Sequence, residues 1–151
     1  MTGNRTLQDN WPTGTCYGCG PANHKGLQLK SSWSDDGRFI IAAYKADLIY
    51  NSGMSGVMYG GTIASLIDCH SIWAAMAFGY RFENREMGSE PTFAFVTGEL
   101  NIKYIKPTPL DKTIHLKAWV EGDIGKKTKV LCELGPEGDI TATGKVTAIR
   151  I

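Results

Sequence analysis

Residues 60–78, GGTIASLIDCHSIWAAMAF, form the single long stretch of this sequence with helical periodicity, and they are apolar on nearly every side. Ile63, Leu66, Ile67, His70, Ala74 and Ala77 recur at helical spacing, while Ala64, Ala74, Ala75 and Ala77 keep much of the surface small. A helix of this kind has to be enclosed by the rest of its chain. Asp68 and His70 stand in the middle of residues 62–78, a run too short and too polar to cross a bilayer comfortably.

The remaining sequence reads as strand and turn. Leu27, Leu29, Ser31 and Trp33 alternate up to Asp35-Asp36-Gly37, and residues 39–44 return as a second strand, which predicts a hairpin. A loop is expected over residues 80–91. In residues 93–105, Ala94, Val96, Leu100, Ile102 and Tyr104 are expected on one face and Thr97, Glu99, Asn101 and Lys103 on the other. Three more strands follow, with inward sets Ile114, Leu116, Ala118 and Val120, then Thr128, Val130, Cys132 and Leu134, then Ile140, Ala142, Val146 and Ala148. Turns at 121–125 and 135–138 make these last three a meander. One helix can serve about six strands only by lying across the concave face of a curled antiparallel sheet, an α+β arrangement. Sheet edges and one helix flank are then short of cover, so a homodimer is expected. Residues 1–15 are expected as a loosely ordered lead-in and 16–151 as one domain.

Composition narrows the functional classes. The chain has 151 residues, 42% of them hydrophobic, and 16 Lys plus Arg against 15 Asp plus Glu. With scattered charge and a net of +1, neither nucleic acid nor an anionic membrane is an expected partner. The opening residues are polar and lack an apolar signal region, which points to a cytoplasmic location. Gly53-Met54-Ser55-Gly56 falls short of the Gly-x-Ser-x-Gly elbow of serine hydrolases.

Four cysteines, Cys16, Cys19, Cys69 and Cys132, are expected as reduced thiols. Cys16-Tyr17-Gly18-Cys19 has the spacing of half a zinc knuckle or of a redox pair. No second Cys-x-x-Cys or His-x-x-x-His completes it, and His24 would bring the ligands only to three. The expected reading is a tight glycine turn with small thiols, and no metal.

The chemistry concentrates at the start and middle of the long helix. Gly60 and Gly61 leave helix-start amides open to a carbonyl oxygen or an oxyanion at the positive end of the dipole; close helix packing is the alternative use of such glycines. Asp68 lies in apolar surroundings, where a carboxylate costs several kcal/mol (about that much) unless it is paired or protonated. Ser71, one turn on, is a candidate to bond it. Gly60 and Asp68 are about 12 Å apart along the helix axis, too far to hold one reacting carbonyl within a single chain. If they cooperate, they come from two subunits. His70 points away from Asp68 and is expected in the core or an interface.

These residues resemble the hotdog-fold thioesterases, closest to the phenylacetyl-CoA and 4-hydroxybenzoyl-CoA thioesterase branch, over nearly all of residues 16–149. Three patterns carry the resemblance: Cys16-Tyr17-Gly18-Cys19-Gly20-Pro21 with Asn23 and Gly26-Leu27; Gly56-Val57-Met58-Tyr59-Gly60-Gly61 with Asp68; and Leu100-Asn101-Ile102-Lys103-Tyr104 running to Lys106-Pro107. It implies a curved antiparallel sheet of about six strands wrapped around one central helix, and hydrolysis of an acyl-CoA to free acid and coenzyme A. The enzyme would be a homodimer or a dimer of dimers. CoA would enter as part of the substrate, with no separate cofactor and no metal. Gly60 would offer its amide to the thioester oxygen, supported by Gly61 and Tyr59, and Asp68 of the opposite subunit would act as nucleophile or as base for a water. Asn51 and Ser52 are candidates for holding that water. Arg81, Arg85, Lys103, Lys106 and Lys112 are candidates for the CoA phosphates. The family's His before the two glycines is Tyr59 here, which leaves a non-catalytic acyl-CoA-binding or regulatory protein as the second reading. Hydratase chemistry would need an acid and a His together near the helix start, and residues 51–59 contain neither.

Overall fold

The structure, a computed structural model, describes residues 5–151. Its elements run in order as a 3-10 turn Leu7–Asn10, β1 Ser32–Trp33, β2 Ile40–Tyr44, α1 Gly60–Phe82, β3 Phe95–Tyr104, β4 Ile114–Glu121, β5 Lys127–Gly135 and β6 Ala142–Arg150. All strand pairs are antiparallel, and the single sheet has the order β1-β2-β4-β5-β6-β3. α1 packs against β2 to β6, which makes this the hotdog arrangement that the strand pattern and the enclosed helix predict. No helix among the described residues is long and apolar enough to cross a membrane.

The core lies between α1 and the sheet. Ile63, Leu66, Ile67 and Ala74 from α1 meet Ile114, Leu116 and Ala118 of β4, Val130, Cys132 and Leu134 of β5, and Ala142, Val146 and Ala148 of β6, all buried. These are the inward sets that the alternation assigns to β4, β5 and β6, apart from two end positions. Val120 is only partly buried. Ile140 lies ahead of β6 and is exposed, because the turn after β5 closes with the Thr141 amide donating to the Leu134 carbonyl. Gly144 lets the helix approach: a Cβ there would collide with the Ile67 side chain.

Four local expectations are corrected. The first strand is only two residues long, because the Leu27 and Leu29 amides donate to Tyr17 and Gly18 carbonyls rather than to β2. From Leu7 onward the lead-in is packed rather than loose: Leu7 and Gln8 are buried, and Gln8 bonds both the amide and the hydroxyl of Ser31. Residues 1–4 of that expected lead-in lie outside the described residues. α1 runs one turn past residue 78, into the expected loop, because its last turn buries Tyr80, whose hydroxyl accepts the Phe93 amide at 2.9 Å.

The fourth correction concerns β3. Its register against β6 slips between Thr97 and Glu99, so Thr97 pairs with Ala148, Leu100 with Val146 and Tyr104 with Ala142. A bulge at Gly98 thus turns Thr97 to the helix side together with Leu100, Ile102 and Tyr104. Val96, expected in that set, pairs instead with Ile149. β3 is also an edge strand with no neighbour on its outer side among the described residues.

Candidate active site

The loop before α1 is built to present its first amides. Tyr59 is extended, at φ −60° and ψ 130°, and its carbonyl accepts the Thr62 and Ile63 amides at 3.1 and 3.2 Å. The amides of Gly60 and Gly61 donate to no acceptor among the described residues. They are orphan donors at the positive end of a 23-residue helix. Tyr104 fixes the site from β3: its hydroxyl donates to the Gly60 carbonyl at 2.7 Å, and its ring packs against Gly60. Loss of hydration on partial burial raises the Tyr104 phenol above its usual range. The Tyr59 ring covers Gly61, where a Cβ would clash with it. Gly60 opens into a largely apolar cleft of about 320 Å³ lined by Met54, Val57, Met58, Ile63, Tyr104 and the 106–108 turn.

Asp68 is half-buried rather than enclosed, because the flank of α1 that carries it faces the open β3 edge. Its Oδ1 accepts a hydrogen bond from the Thr97 hydroxyl at 2.5 Å. Ser71, a candidate partner, is fully buried and makes no hydrogen bond to the carboxylate; one turn of helix carries it round toward the sheet, beside Cys132. Asp68 lines a second cleft, of about 230 Å³, with Cys16, Cys19, Cys69, Trp73 and Thr97. Gly60 and Asp68 therefore open into different clefts of one chain, at opposite ends of β3, as their 12 Å axial separation (about 8 residues of rise) requires.

Asn51 and Ser52 shape the loop itself. Asn51 Oδ1 accepts the Gly53 amide, Ser52 Oγ accepts the Met54 amide, and neither residue lines the two clefts. His70 is a core residue: Nδ1 meets Ser31 Oγ at 2.8 Å and Nε2 meets the Ile40 carbonyl at 2.9 Å. Complete burial pulls it down to about 4. Of the candidate phosphate-binding cations, Arg81 lies over Trp33 and Phe78, Arg85 pairs with Glu83, and Lys106 pairs with Asp139. Lys103 and Lys112 make no ion pair among the described residues. A larger open concavity of about 780 Å³ lies between β2, β4 and the 135–140 turn, but includes neither Gly60 nor Asp68.

Two residues of this arrangement were missed by sequence reasoning. Thr97 sits on the apparent polar face until the Gly98 bulge is known, and a bulge leaves only the isolated glycine as its signal. Tyr104 lies within the Leu100–Tyr104 resemblance pattern, but its contact with the helix start is a product of the fold.

An orphaned helix-start amide in an apolar cleft, that of Gly60, can polarise a carbonyl, and a half-buried carboxylate held by a hydroxyl can accept a proton or attack. Those are the functions expected of a thioester hydrolase. The profile of the thioesterase superfamily matches residues 55–134, which include both groups, and the chain belongs to that superfamily. A thioesterase superfamily protein from Shewanella loihica is 32% identical, with a TM-score of 0.66 over 86% of this chain and 96% of its own. A Bacillus halodurans protein solved with CoA is 21% identical, with a TM-score of 0.63 over 83% of this chain and 75% of its own. A thioesterase-like phenylacetic acid degradation-related protein from Ralstonia eutropha is 19% identical, at 0.65 over 87% and 92%. The latter two likenesses show the shared fold. No curated protein matches the chain.

Proposed function

We propose that the chain is an acyl-CoA thioesterase whose two active sites are each assembled from both protomers of a homodimer. The observation that carries this reading is the arrangement along β3. Thr97, which holds Asp68, stands near one end, Tyr104, which holds Gly60, stands at the other, and Asn101 occupies the middle rung between them. A two-fold antiparallel pairing of β3 with its copy about Asn101 lays Thr97 of one protomer beside Tyr104 of the other. It thereby brings Asp68 of one chain toward Gly60 of its partner. The same pairing covers Leu100 and Tyr104, which are 38% and 52% exposed in the single chain. Long exposed edges of this kind are rarely left open.

In the assembled site the Gly60 amide, with Gly61 beside it, receives the thioester oxygen. Asp68 takes a proton from water as the water oxygen bonds the carbonyl carbon, and the resulting oxyanion rests on the amides. Collapse breaks the carbon–sulfur bond, the CoA thiolate leaves with a proton, and the free acid remains. Direct attack by the carboxylate, giving an anhydride that water then opens, uses the same two groups. Thr97 orients Asp68. The CoA-bound Bacillus halodurans relative supports a CoA ester as the substrate.

The test is release of free thiol from acyl-CoA by the purified chain, read with a thiol-trapping reagent. Wild type is expected to turn over, and Asp68→Ala and Asp68→Asn to lose roughly 100-fold or more. Unchanged activity in both variants overturns the assignment. The Tyr59 ring over Gly61 favours the second reading, an acyl-CoA-binding protein without turnover. Calorimetric binding of the ester by wild type with no thiol released would establish it.

A further inference from the structure

Beside Asp68, in the cleft it lines, three of the four thiols converge, and no step of hydrolysis uses them. Cys16 and Cys19 come from the turn before β1 and Cys69 from α1, at least 50 residues away, yet their three Sγ atoms all lie within 4.8 Å of one another. The expectation of no metal rests on the lack of a second Cys-x-x-Cys or His-x-x-x-His pair, and here the third thiol comes singly, from the helix. We propose that Cys16, Cys19 and Cys69 form a trithiolate site for a thiophilic d10 cation, Zn²⁺, with its fourth position left to a solvent ligand on the side of the Asp68 cleft.

Geometry supports this in three ways. Cys16 Sγ and Cys69 Sγ are 3.8 Å apart. Tetrahedral Zn–S bonds of about 2.3 Å set thiolates about 3.8 Å from each other, so little movement is needed. The turn is held in a knuckle: the Gly20 amide donates to the Cys16 carbonyl at 2.8 Å, and the Tyr17 and Gly18 carbonyls are tied to the Leu27 and Leu29 amides. Gly18 is needed for the approach, since a Cβ there would overlap Cys69 Sγ. Finally, Trp73 Nε1 donates to Cys19 Sγ at 3.1 Å, the kind of outer contact that orients a ligand and stabilises its anion.

An odd number of converging thiols suits a metal better than a disulfide, which would leave one sulfur unused. Binding forms three Zn–S bonds, and the protons of the thiols pass to solvent. The bound cation would clamp the 16–20 turn to α1 one residue from Asp68. Cys132, buried under the other side of the helix, lies outside the cluster and serves as an internal control.

The test uses the reduced, metal-stripped full chain under anaerobic conditions, and its readout does not depend on thioester hydrolysis. Co²⁺ is expected to bind at one equivalent per chain, with thiolate-to-cobalt charge-transfer absorption and the visible bands of tetrahedral cobalt, and Zn²⁺ is expected to bleach both. X-ray absorption at the zinc edge should show three sulfur neighbours at about 2.3 Å. Cys16→Ser, on the exposed turn, should weaken binding at least tenfold while leaving the apo melting temperature unchanged, and Cys132→Ser should bind as wild type. Cys69→Ser supplies a third arm, with Cys16→Ser deciding if it does not fold. Absence of the charge-transfer band in protein with all thiols reduced overturns the proposal. So does a zinc edge with two sulfurs or fewer, or equal binding by wild type and Cys16→Ser.

Discussion

Gly60 contributes to the proposed chemistry through a backbone atom, which an ordinary side-chain substitution leaves in place. Gly60→Pro removes that atom selectively: proline is well accepted at the first position of a helix, and Tyr59 already has the extended ψ of 130° that a residue before proline prefers. The variant should fold with a normal circular dichroism spectrum and lose turnover by about 100- to 1,000-fold, corresponding to about 2.7–4 kcal/mol of lost oxyanion stabilisation. Full activity in Gly60→Pro would remove the amide from the mechanism. Thr97→Val should lower kcat about tenfold with KM little changed, since it removes one hydrogen bond to a charged group and no substrate contact. At this scale the sequence makes Asp68 and Gly60 conspicuous, because a carboxylate in an apolar helix and glycines at its start both break a local pattern. It conceals Thr97, whose direction depends on a one-residue slip of register, and it offers Ser71 as a candidate, three residues from Asp68 in sequence but rotated toward the sheet.

Among the elements, the long helix and the meander were the most legible, because their periodicity is strong and their faces are uniformly buried. β1 and β3 were less so. The chain ahead of β1 is bonded through Leu27 and Leu29 to the 16–20 turn, which leaves β1 only two residues long, and β3 lies at an edge where burial no longer enforces alternation. α1 is tied to the β1–β2 hairpin through His70, whose ring joins Ser31 to Ile40. Burial holds this imidazole at about 4, against 6.5 in an unfolded chain. Between those values the unfolded state binds more protons, so stability is fully present above pH 6.5 (about the unfolded value) and is lost as pH falls toward 4. The loss is about 3 kcal/mol, and denaturant midpoints at pH 7 and 4.5 (roughly the ends of this window) should differ accordingly in wild type. His70→Gln should flatten that difference. Equal pH slopes in the two proteins would contradict the assignment. Leu100→Asp, which places a charge on the β3 face otherwise covered by the proposed pairing, should give monomers by light scattering and abolish thiol release together.

For the whole molecule, the fold separates two groups that acyl transfer needs close together, and the proposed β3 pairing would bring them together from two protomers. The helical rise alone already implies the separation, and with it two subunits if the groups cooperate. The sequence did not show that three cysteines meet beside the acid, since proximity across 50 or more residues is a property of the packed chain. That each site draws on both protomers is tested most directly by mixing Asp68→Asn and Gly60→Pro chains after unfolding and refolding them together. Each variant alone should be inactive. A mixed dimer has one site with an intact Gly60 amide from the first chain and an intact Asp68 from the second, so an equal mixture should recover about a quarter of wild-type thiol release. A mixture as inactive as its parents, with hybrid dimers demonstrated by mass spectrometry, would mean that the acid and the amide serve the reaction from the same chain or not at all.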